Sequence, residues 1–315
     1  MTTEVGLLPR VVKNDKFHGW IKRQQNGIKR QALNNTIYPS TMDKHPSQRP
    51  VDSLAASLRY VPKPLYSIYS RLFRRKFEDF ERRHALNPQI FAGKRVLIAG
   101  PARTIDDDLS DLGVQSGDYD FIVKMNNGLS TPITTLGSDA WRCDVLFHNF
   151  KDDTRAVAVE DLHRAGVQHI VYRSASRVFY PELEQTIEEY GALKPPISVN
   201  LIPSKDYKSL RPQLGGYRPT SGLVSIRYFL DAPVTSLTIA GFTFFTTRYV
   251  AGYNDAVASD TQSLERIRRH NRHEPRREAT LLQIWLDQIG NAEKKILLGK
   301  NVITAMQEIT AQNAS

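Results

Sequence analysis

The sequence predicts an α/β protein in which helices cover both faces of a mostly parallel sheet. Short apolar runs alternate with stretches whose apolar residues recur at helical spacing, the pattern of strand–helix–strand units. The first run, Arg95–Ala99, ends at Gly100, as is typical of a buried parallel strand. Hydrophobic residues make up 40% of the chain and charged residues 24%, which is ordinary for a globular protein.

The remaining elements follow from the same two patterns. Further strands are predicted at Phe121–Met125, Asp144–His148, Gln168–Tyr172, Ser198–Ile202 and Ser236–Ala240. Helices are predicted from Thr104 onward and at Thr154–Ala165, Glu182–Tyr190 and Ser221–Phe229. The segment from Arg276 through Gln312 is interpreted as helices that pack through Leu281, Leu282, Trp285, Ile289, Ile296 and Leu297.

The positive charge is confined to the N-terminal third. The net charge is +10; residues 1–93 hold 17 Lys and Arg against 7 Asp and Glu, and residues 94–315 hold 26 of each sign. We therefore predict a basic N-terminal extension over 1–93 and an α/β domain over 94–315. Within the extension, residues 64–83 predict an amphipathic helix, which either packs on the core with a solvated basic face or lies on an anionic membrane.

Cysteine content and hydropathy bear on the compartment. Cys143 is the sole cysteine, so an intramolecular disulfide is impossible. The first residues lack the apolar run of a signal peptide, and no stretch approaches the roughly 18 apolar residues of a membrane span. We expect a cytoplasmic protein, peripheral to the inner face of the membrane if the basic helix binds lipid.

Three turns at predicted strand or helix ends are candidate nucleotide contacts. The turn Gly100–Thr104 follows the first strand, where free backbone N–H groups face a phosphate in open parallel sheets. Asn126 and Asn127 follow the second strand, and an Asn there can bind ribose or a base edge. Thr220-Ser221-Gly222 precedes a helix and can seat an anion. Each turn alone is also explained by ordinary turn or cap chemistry.

His273 and Glu278 lie at the head of the last helical region and are candidate catalytic groups. A histidine can act as a general base because its pKa lies near neutrality. His270 and His273 lack a third ligand at metal-binding spacing, so we expect no bound metal and no other cofactor. Asp152-Asp153 is the alternative, a Mg²⁺ site for a nucleotide-diphosphate sugar.

The order of these segments resembles the sialyltransferases with large, small and very-small sialylmotifs. Arg95–His148 looks like the large motif, with Lys124-Met125-Asn126 at its R-M-N position. Arg218–Phe242 resembles the small motif, and His273–Glu278 matches the very-small motif, H-x4-E. Phe244–Tyr253 occupies the place of the aromatic third motif. The resemblance covers roughly Arg95–Glu278.

The resemblance implies a GT-A-like variant fold with a single Rossmann-like sheet, and inverting, metal-independent transfer of an acidic sugar from a CMP-activated donor. His273 would be the general base, with Glu278 beside it. We expect the donor nucleotide to bind Gly100, Pro101, Ala102, Arg103, Asn126, Asn127, Thr220, Ser221, Gly222 and Phe242. Further contacts with donor or acceptor are expected from His148, Asn149, Tyr249 and Tyr253. The expected partners are the donor, a glycan or glycolipid acceptor and an anionic membrane surface, with no nucleic acid.

The chain departs from the motifs at three positions. Pro101 stands where the family has Asn, Lys124 where it has Arg, and Cys143 lacks its disulfide partner. These departures leave the donor open between CMP-sialic acid and CMP-Kdo, since Kdo transferases share the pattern. A non-enzymatic nucleotide-binding or membrane-surface adaptor is the remaining alternative.

Overall fold

A computed structural model describes residues 63–149, 157–173, 180–289 and 294–311. Within these ranges, seven strands form one sheet in the order β5-β4-β3-β2-β1-β6-β7, and every neighbouring pair is parallel. The strands are β1 Arg95–Ala99, β2 Phe121–Met125, β3 Val145–His148, β4 His169–Tyr172, β5 Ser198–Leu201, β6 Ser236–Ala240 and β7 Lys295–Leu298. The predicted α/β fold class, a single parallel sheet flanked by helices, is confirmed.

The helices lie between the strands or flank the sheet. They are α1 Lys63–Arg83, α2 Ile105–Leu112, α3 Val159–Ala165, α4 Tyr180–Gly191, α5 Ser204–Gln213, α6 Ser221–Asp231, α7 Asp260–His270, α8 Pro275–Ile289 and α9 Lys300–Ala311. The predictions for α1, α2, α3, α4 and α6 are confirmed, although the first residues of the predicted helix Thr154–Ala165 lie outside the described ranges. None of the described elements is a helix long and apolar enough to cross a membrane.

The prediction for the C-terminal region is partly wrong. Ile296 and Leu297 lie in β7, which pairs with β6 at the edge of the sheet, and not in a helix. Leu281, Leu282 and Trp285 pack from α8 into the core as predicted.

The strands are apolar because both of their faces are covered. Val96 and Ile98 of β1 belong to a core cluster on one face, and Leu97 belongs to a cluster on the other face, and all three are fully buried. Central parallel strands lie between two helical layers, so continuous apolar runs are required there. Because both faces of the strands are packed, their carboxyl ends are held in place. The candidate site lies at these ends.

Helix α1 packs on the outer part of the sheet. Phe77 and Phe80 are buried and contact Tyr180, and they share a cluster with Leu201 of β5. Glu81 accepts a hydrogen bond from the backbone N–H of Ser204, at 2.7 Å. The interpretation of this helix as one packed on the core is therefore confirmed for its C-terminal half. The opposite face exposes arginine side chains, Arg71, Arg74, Arg75, Arg82 and Arg83.

The acidic residues at the start of α2 bind backbone and side-chain donors. Asp106 accepts from the N–H and Oγ1 of Thr135, at 2.7 and 2.8 Å. The buried Asp108 accepts from the N–H of Gly241 and the N–H of Asn301, both at 2.8 Å, and so joins the end of β6 to the start of α9. Asp152-Asp153 lies outside the described residues.

Candidate active site

A cavity of about 240 Å³ opens at the carboxyl ends of the strands. Strand order reverses between β1 and β6, and parallel α/β sheets bind ligands in the crevice at such a reversal. Most of the predicted site residues line this cavity: Pro101, Ala102, Asn126, Asn127, Asn149, Thr220, Ser221, Gly222, Phe242, Tyr249, Tyr253, His273 and Glu278. Gly100, Arg103 and His148 are not among its lining residues.

The turn after β1 uses its backbone N–H groups within the protein. The amides of Gly100, Ala102 and Arg103 donate to the carbonyls of Ala240, Gly241 and Arg248, at 2.8 to 3.1 Å. The expectation that these N–H groups face a phosphate is therefore wrong for the three residues. Their bonds instead hold the end of β6 and the following loop beside β1.

Gly100 and Arg103 have structural contacts. A Cβ at Gly100 would collide with the carbonyl oxygen of Gly241, so the close approach of the two backbones requires glycine there. Arg103 is exposed, and its guanidinium forms an ion pair with Asp260 at 3.2 Å. Pro101 and Ala102 are the two residues of this turn that reach the cavity.

Asn126 lies at the end of β2 in a left-handed conformation, with φ of 48°. Asparagine adopts this conformation more readily than most residues. The same preference explains both the turn signal in the sequence and the way the backbone presents this side chain. Its Nδ2 donates to Ser221 Oγ at 3.4 Å, and its Oδ1 is buried with no donor among the described residues. Asn127 donates from Nδ2 to the carbonyl of Tyr253, at 2.8 Å, and ties the 243–253 loop to the sheet.

The N-terminus of α6 forms a polar wall of the cavity. Thr220 caps the helix, its Oγ1 accepting from the N–H of Leu223 at 3.1 Å. Ser221 and Gly222 are buried in the first turn. A Cβ at Gly222 would meet Phe242 Cε1 at 2.5 Å, so glycine allows this ring to pack against the helix start.

Glu278 is buried, with 3% of its side chain exposed, and it holds Thr220 in place. Its two carboxylate oxygens accept from the N–H and Oγ1 of Thr220, at 2.8 and 2.7 Å. Burial, which disfavours the charged carboxylate, raises the pKa of Glu278 to about 7 despite these bonds. Glu278 therefore belongs to the architecture of the helix start.

His273 lies two residues before α8, and its Nδ1 is 2.6 Å from the carbonyl oxygen of Arg218. A carbonyl oxygen only accepts, so this contact places a proton on Nδ1. In the neutral ring the basic nitrogen is then Nε2. The same Nδ1 lies 3.9 Å from Glu278 Oε1, so imidazole and carboxylate are close without being directly hydrogen-bonded.

The 243–253 loop supplies an aromatic wall. Tyr249 and Tyr253 line the cavity with their ring centroids 4.8 Å apart, and Phe244 and Phe245 both adopt positive φ. Asn149 follows β3 and lines the cavity. His148 is buried at the end of β3 and does not line the cavity.

Four basic residues that line the cavity are absent from the predicted site, although His270 was considered there as a metal ligand. Arg173 follows β4, and the carboxyl-end rule that selected Asn126 also applies to it. Arg266 and His270 come from α7, and Arg272 from the turn after it. Helix α7 was not predicted because its sequence is polar on most sides. In the described part of the chain, no group of three acidic, histidine or cysteine side chains has metal-binding geometry.

Two departures from the motifs fall on structural positions. Lys124 is buried on the side of β2 that faces away from the cavity. Its Nζ donates to the carbonyls of Thr131 and Ala140 at 3.1 and 3.3 Å. Burial lowers the pKa of this amine. Cys143 is buried and free, and burial raises the pKa of its thiol to about 12. Neither residue lines the cavity described above.

Comparisons with known proteins find similar solved structures only. The chain matches no protein-family model and no curated protein. It is similar to the sialyltransferase CstII from Campylobacter jejuni in complex with cytidine-5′-monophosphate, at 15% identity and a TM-score of 0.40, over 66% of this chain and 80% of that chain. It is also similar to CstII in complex with CMP-3FNeuAc, at 14% identity and a TM-score of 0.37, over 66% of this chain and 87% of that chain.

Proposed function

We propose that the protein is a glycosyltransferase that moves an acidic sugar from a CMP-activated donor to a glycan or glycolipid. The observation that carries the proposal is the contact between His273 Nδ1 and the Arg218 carbonyl. This contact orients an imidazole at the mouth of a cavity in which the motif residues Asn126 and Ser221 are hydrogen-bonded to each other. The sialylmotif resemblance supports the nature of the donor.

His273 would act as general base in an inverting displacement. Nε2 takes the proton of the acceptor hydroxyl as its oxygen attacks the anomeric carbon. The bond from that carbon to the CMP phosphate oxygen breaks, and CMP leaves with the electron pair. The other ring proton stays on Nδ1 and donates its hydrogen bond to the Arg218 carbonyl, which stabilises the imidazolium that forms.

The leaving group needs only modest charge stabilisation. A single phosphate carries less charge than a diphosphate, so hydroxyl and amide donors suffice in our proposal without a metal. Ser221 and the first turn of α6 supply such donors, with the positive end of the helix dipole behind them. Glu278 positions this turn through Thr220 and takes no part in proton transfer.

The first test is CMP release from CMP-sialic acid and from CMP-Kdo, each with and without EDTA. Release from one donor that resists EDTA would support the proposal and identify the sugar. Complete inhibition by EDTA would instead favour a metal-dependent transferase. No release from either donor, together with no detectable CMP binding, would favour the non-enzymatic membrane-surface adaptor.

The base is tested by His273→Ala. We expect CMP release to fall by roughly 10²- to 10⁴-fold, the usual contribution of general base catalysis, with little change in CMP affinity. His163→Ala is the matched control, because its ring also contacts a carbonyl, that of Pro195 at 3.1 Å, and it does not line the cavity. Unchanged turnover in His273→Ala would refute the assignment.

A further inference from the structure

Arg173 is a buried cation at the cavity for which the proposed mechanism has no role. Its side chain is 6% exposed and follows β4, and it lines the same cavity as His273 and Ser221. Nη1 donates to Tyr207 Oη and to the Pro219 carbonyl, both at 3.1 Å. Nε is buried and has no acceptor among the described residues. A buried donor without an acceptor costs roughly 1–3 kcal/mol, so the site favours a ligand that supplies one.

Within the described residues, the charge of Arg173 is compensated only partly. Among them, Glu278 is a carboxylate that interacts with it electrostatically. Burial raises the pKa of Glu278 to about 7, so near neutral pH this carboxylate is charged only part of the time. The Tyr207 ring, 5.7 Å from the guanidinium carbon, contributes a weak cation–π contact but no anion. An anionic ligand would therefore complete the site.

The position of Arg173 relative to His273 identifies which anion. His273 Nδ1 bonds the carbonyl of Arg218, and Arg173 Nη1 bonds the carbonyl of the next residue, Pro219. One dipeptide therefore positions both the imidazole and the guanidinium. In 2-keto sugar acids the carboxylate is attached to the anomeric carbon, the atom that a base-activated acceptor attacks. The group that binds this carboxylate must accordingly lie close to the base.

We propose that Arg173 binds the carboxylate on the anomeric carbon of the donor sugar and so selects acidic over neutral activated sugars. This inference rests on the proposed function. Guanidinium is suited to the role because its planar array of donors matches a carboxylate and it keeps its charge when buried. The sugar phosphate, in contrast, is common to acidic and neutral CMP esters and would give no such selection.

The test compares intact donor with CMP by calorimetry in a His273→Ala background, which prevents turnover. The donor is whichever of CMP-sialic acid and CMP-Kdo the wild-type protein turns over. Arg173→Met is expected to weaken donor binding roughly 10- to 100-fold and to leave CMP binding within about twofold. Arg173→Lys keeps the charge and should recover part of the loss. Arg164→Met, which removes an exposed arginine of α3, is the control and should bind as the parent does.

The possible outcomes separate the two proposals. If Arg173→Met loses equal affinity for donor and for CMP, the inference is overturned, and Arg173 has a phosphate contact or a structural role. An unchanged donor affinity in Arg173→Met would also overturn the inference. Failure of the parent protein to bind either compound would overturn the proposed function as well. If Arg173→Met does not fold, as judged by its thermal unfolding, Arg173→Lys decides the question through its ratio of donor to CMP affinity.

Discussion

Two residues of the cavity use only part of their polar atoms within the described part of the chain. Asn126 gives Nδ2 to Ser221, and its buried Oδ1 meets no donor there. Arg173 gives Nη1 to Tyr207 and Pro219, and its buried Nε meets no acceptor there. The bonds within the protein restrain each side chain, so in our proposal a ligand would meet groups that are already oriented.

Glu278 gives a prediction at the same scale. The folded state raises the pKa of this carboxyl from 4.5 to about 7, so between these values the folded protein holds a proton that the unfolded chain releases. Its contribution to stability is therefore present at low pH and lost as pH rises through this window. Glu278→Gln removes the titration. The free energy of unfolding of the wild type, relative to the Gln variant, should fall by about 3 kcal/mol between about pH 5 and about pH 8.

Urea unfolding of the two proteins at both pH values checks this expectation. Glu182→Gln makes the same change at an exposed position of α4 and should follow the wild type at both pH values. Parallel pH dependence of the wild type and Glu278→Gln would contradict a buried, titrating Glu278.

At the scale of elements, the sequence predicted most of the sheet and missed one edge strand. Six strands follow from apolar runs bounded by polar or turn residues, and their observed bounds differ from the predicted ones by no more than a residue. β7, Lys295–Leu298, follows helix α8, and its Ile296 and Leu297 stand seven and eight residues after Ile289, a spacing that also fits a helix. Only its pairing with β6 decides between strand and helix, and that contact is not local in sequence.

The turn after β1 shows the same limit within the site. Local pattern predicts a strand end followed by a helix start, which is correct. Whether the amides between them are free depends on Gly241 and Arg248, more than a hundred residues later in the chain, which accept from Ala102 and Arg103. Asn126 lines the cavity because it directly follows β2, which the local pattern predicts, but its contact with Ser221, 95 residues later in the chain, does not follow from that pattern.

Asp108 gives a prediction about how elements are joined. Its carboxylate accepts from the N–H of Gly241 and from both the N–H and Nδ2 of Asn301. In Asp108→Asn one oxygen becomes a donor and leaves a buried N–H without an acceptor, which we expect to lower the free energy of unfolding by about 1–3 kcal/mol. Asp107→Asn, exposed in the same helical turn, should change it by about 0.5 kcal/mol at most. Equal effects in denaturant titrations would show that the carboxylate does not join β6 to α9.

At the scale of the whole molecule, the positive charge is unevenly distributed along the chain. The excess of positive charge lies in residues 1–93, and the residues from 94 onward are balanced. In the described part of this region, α1 buries Phe77 and Phe80 and turns Arg71, Arg74 and Arg75 to solvent. Leu72, 53% exposed, lies among these arginines. A basic surface with an exposed apolar side chain suits the anionic headgroups of a membrane.

We therefore predict that replacing Arg71, Arg74 and Arg75 together by Gln weakens binding to vesicles with about 30% phosphatidylserine. The loss should be at least 10-fold, because each basic residue near such a surface contributes about 1 kcal/mol. CMP release from the donor in solution should stay unchanged, because none of the three residues lines the cavity. Vesicle sedimentation at low and high salt measures the effect, which should disappear at high salt as charges are screened. The matched control replaces Arg164, Lys205 and Lys208, exposed basic residues of α3 and α5, by Gln. If both triple variants lose binding equally, net charge rather than the surface of α1 attracts the membrane, and the proposed docking through α1 is wrong.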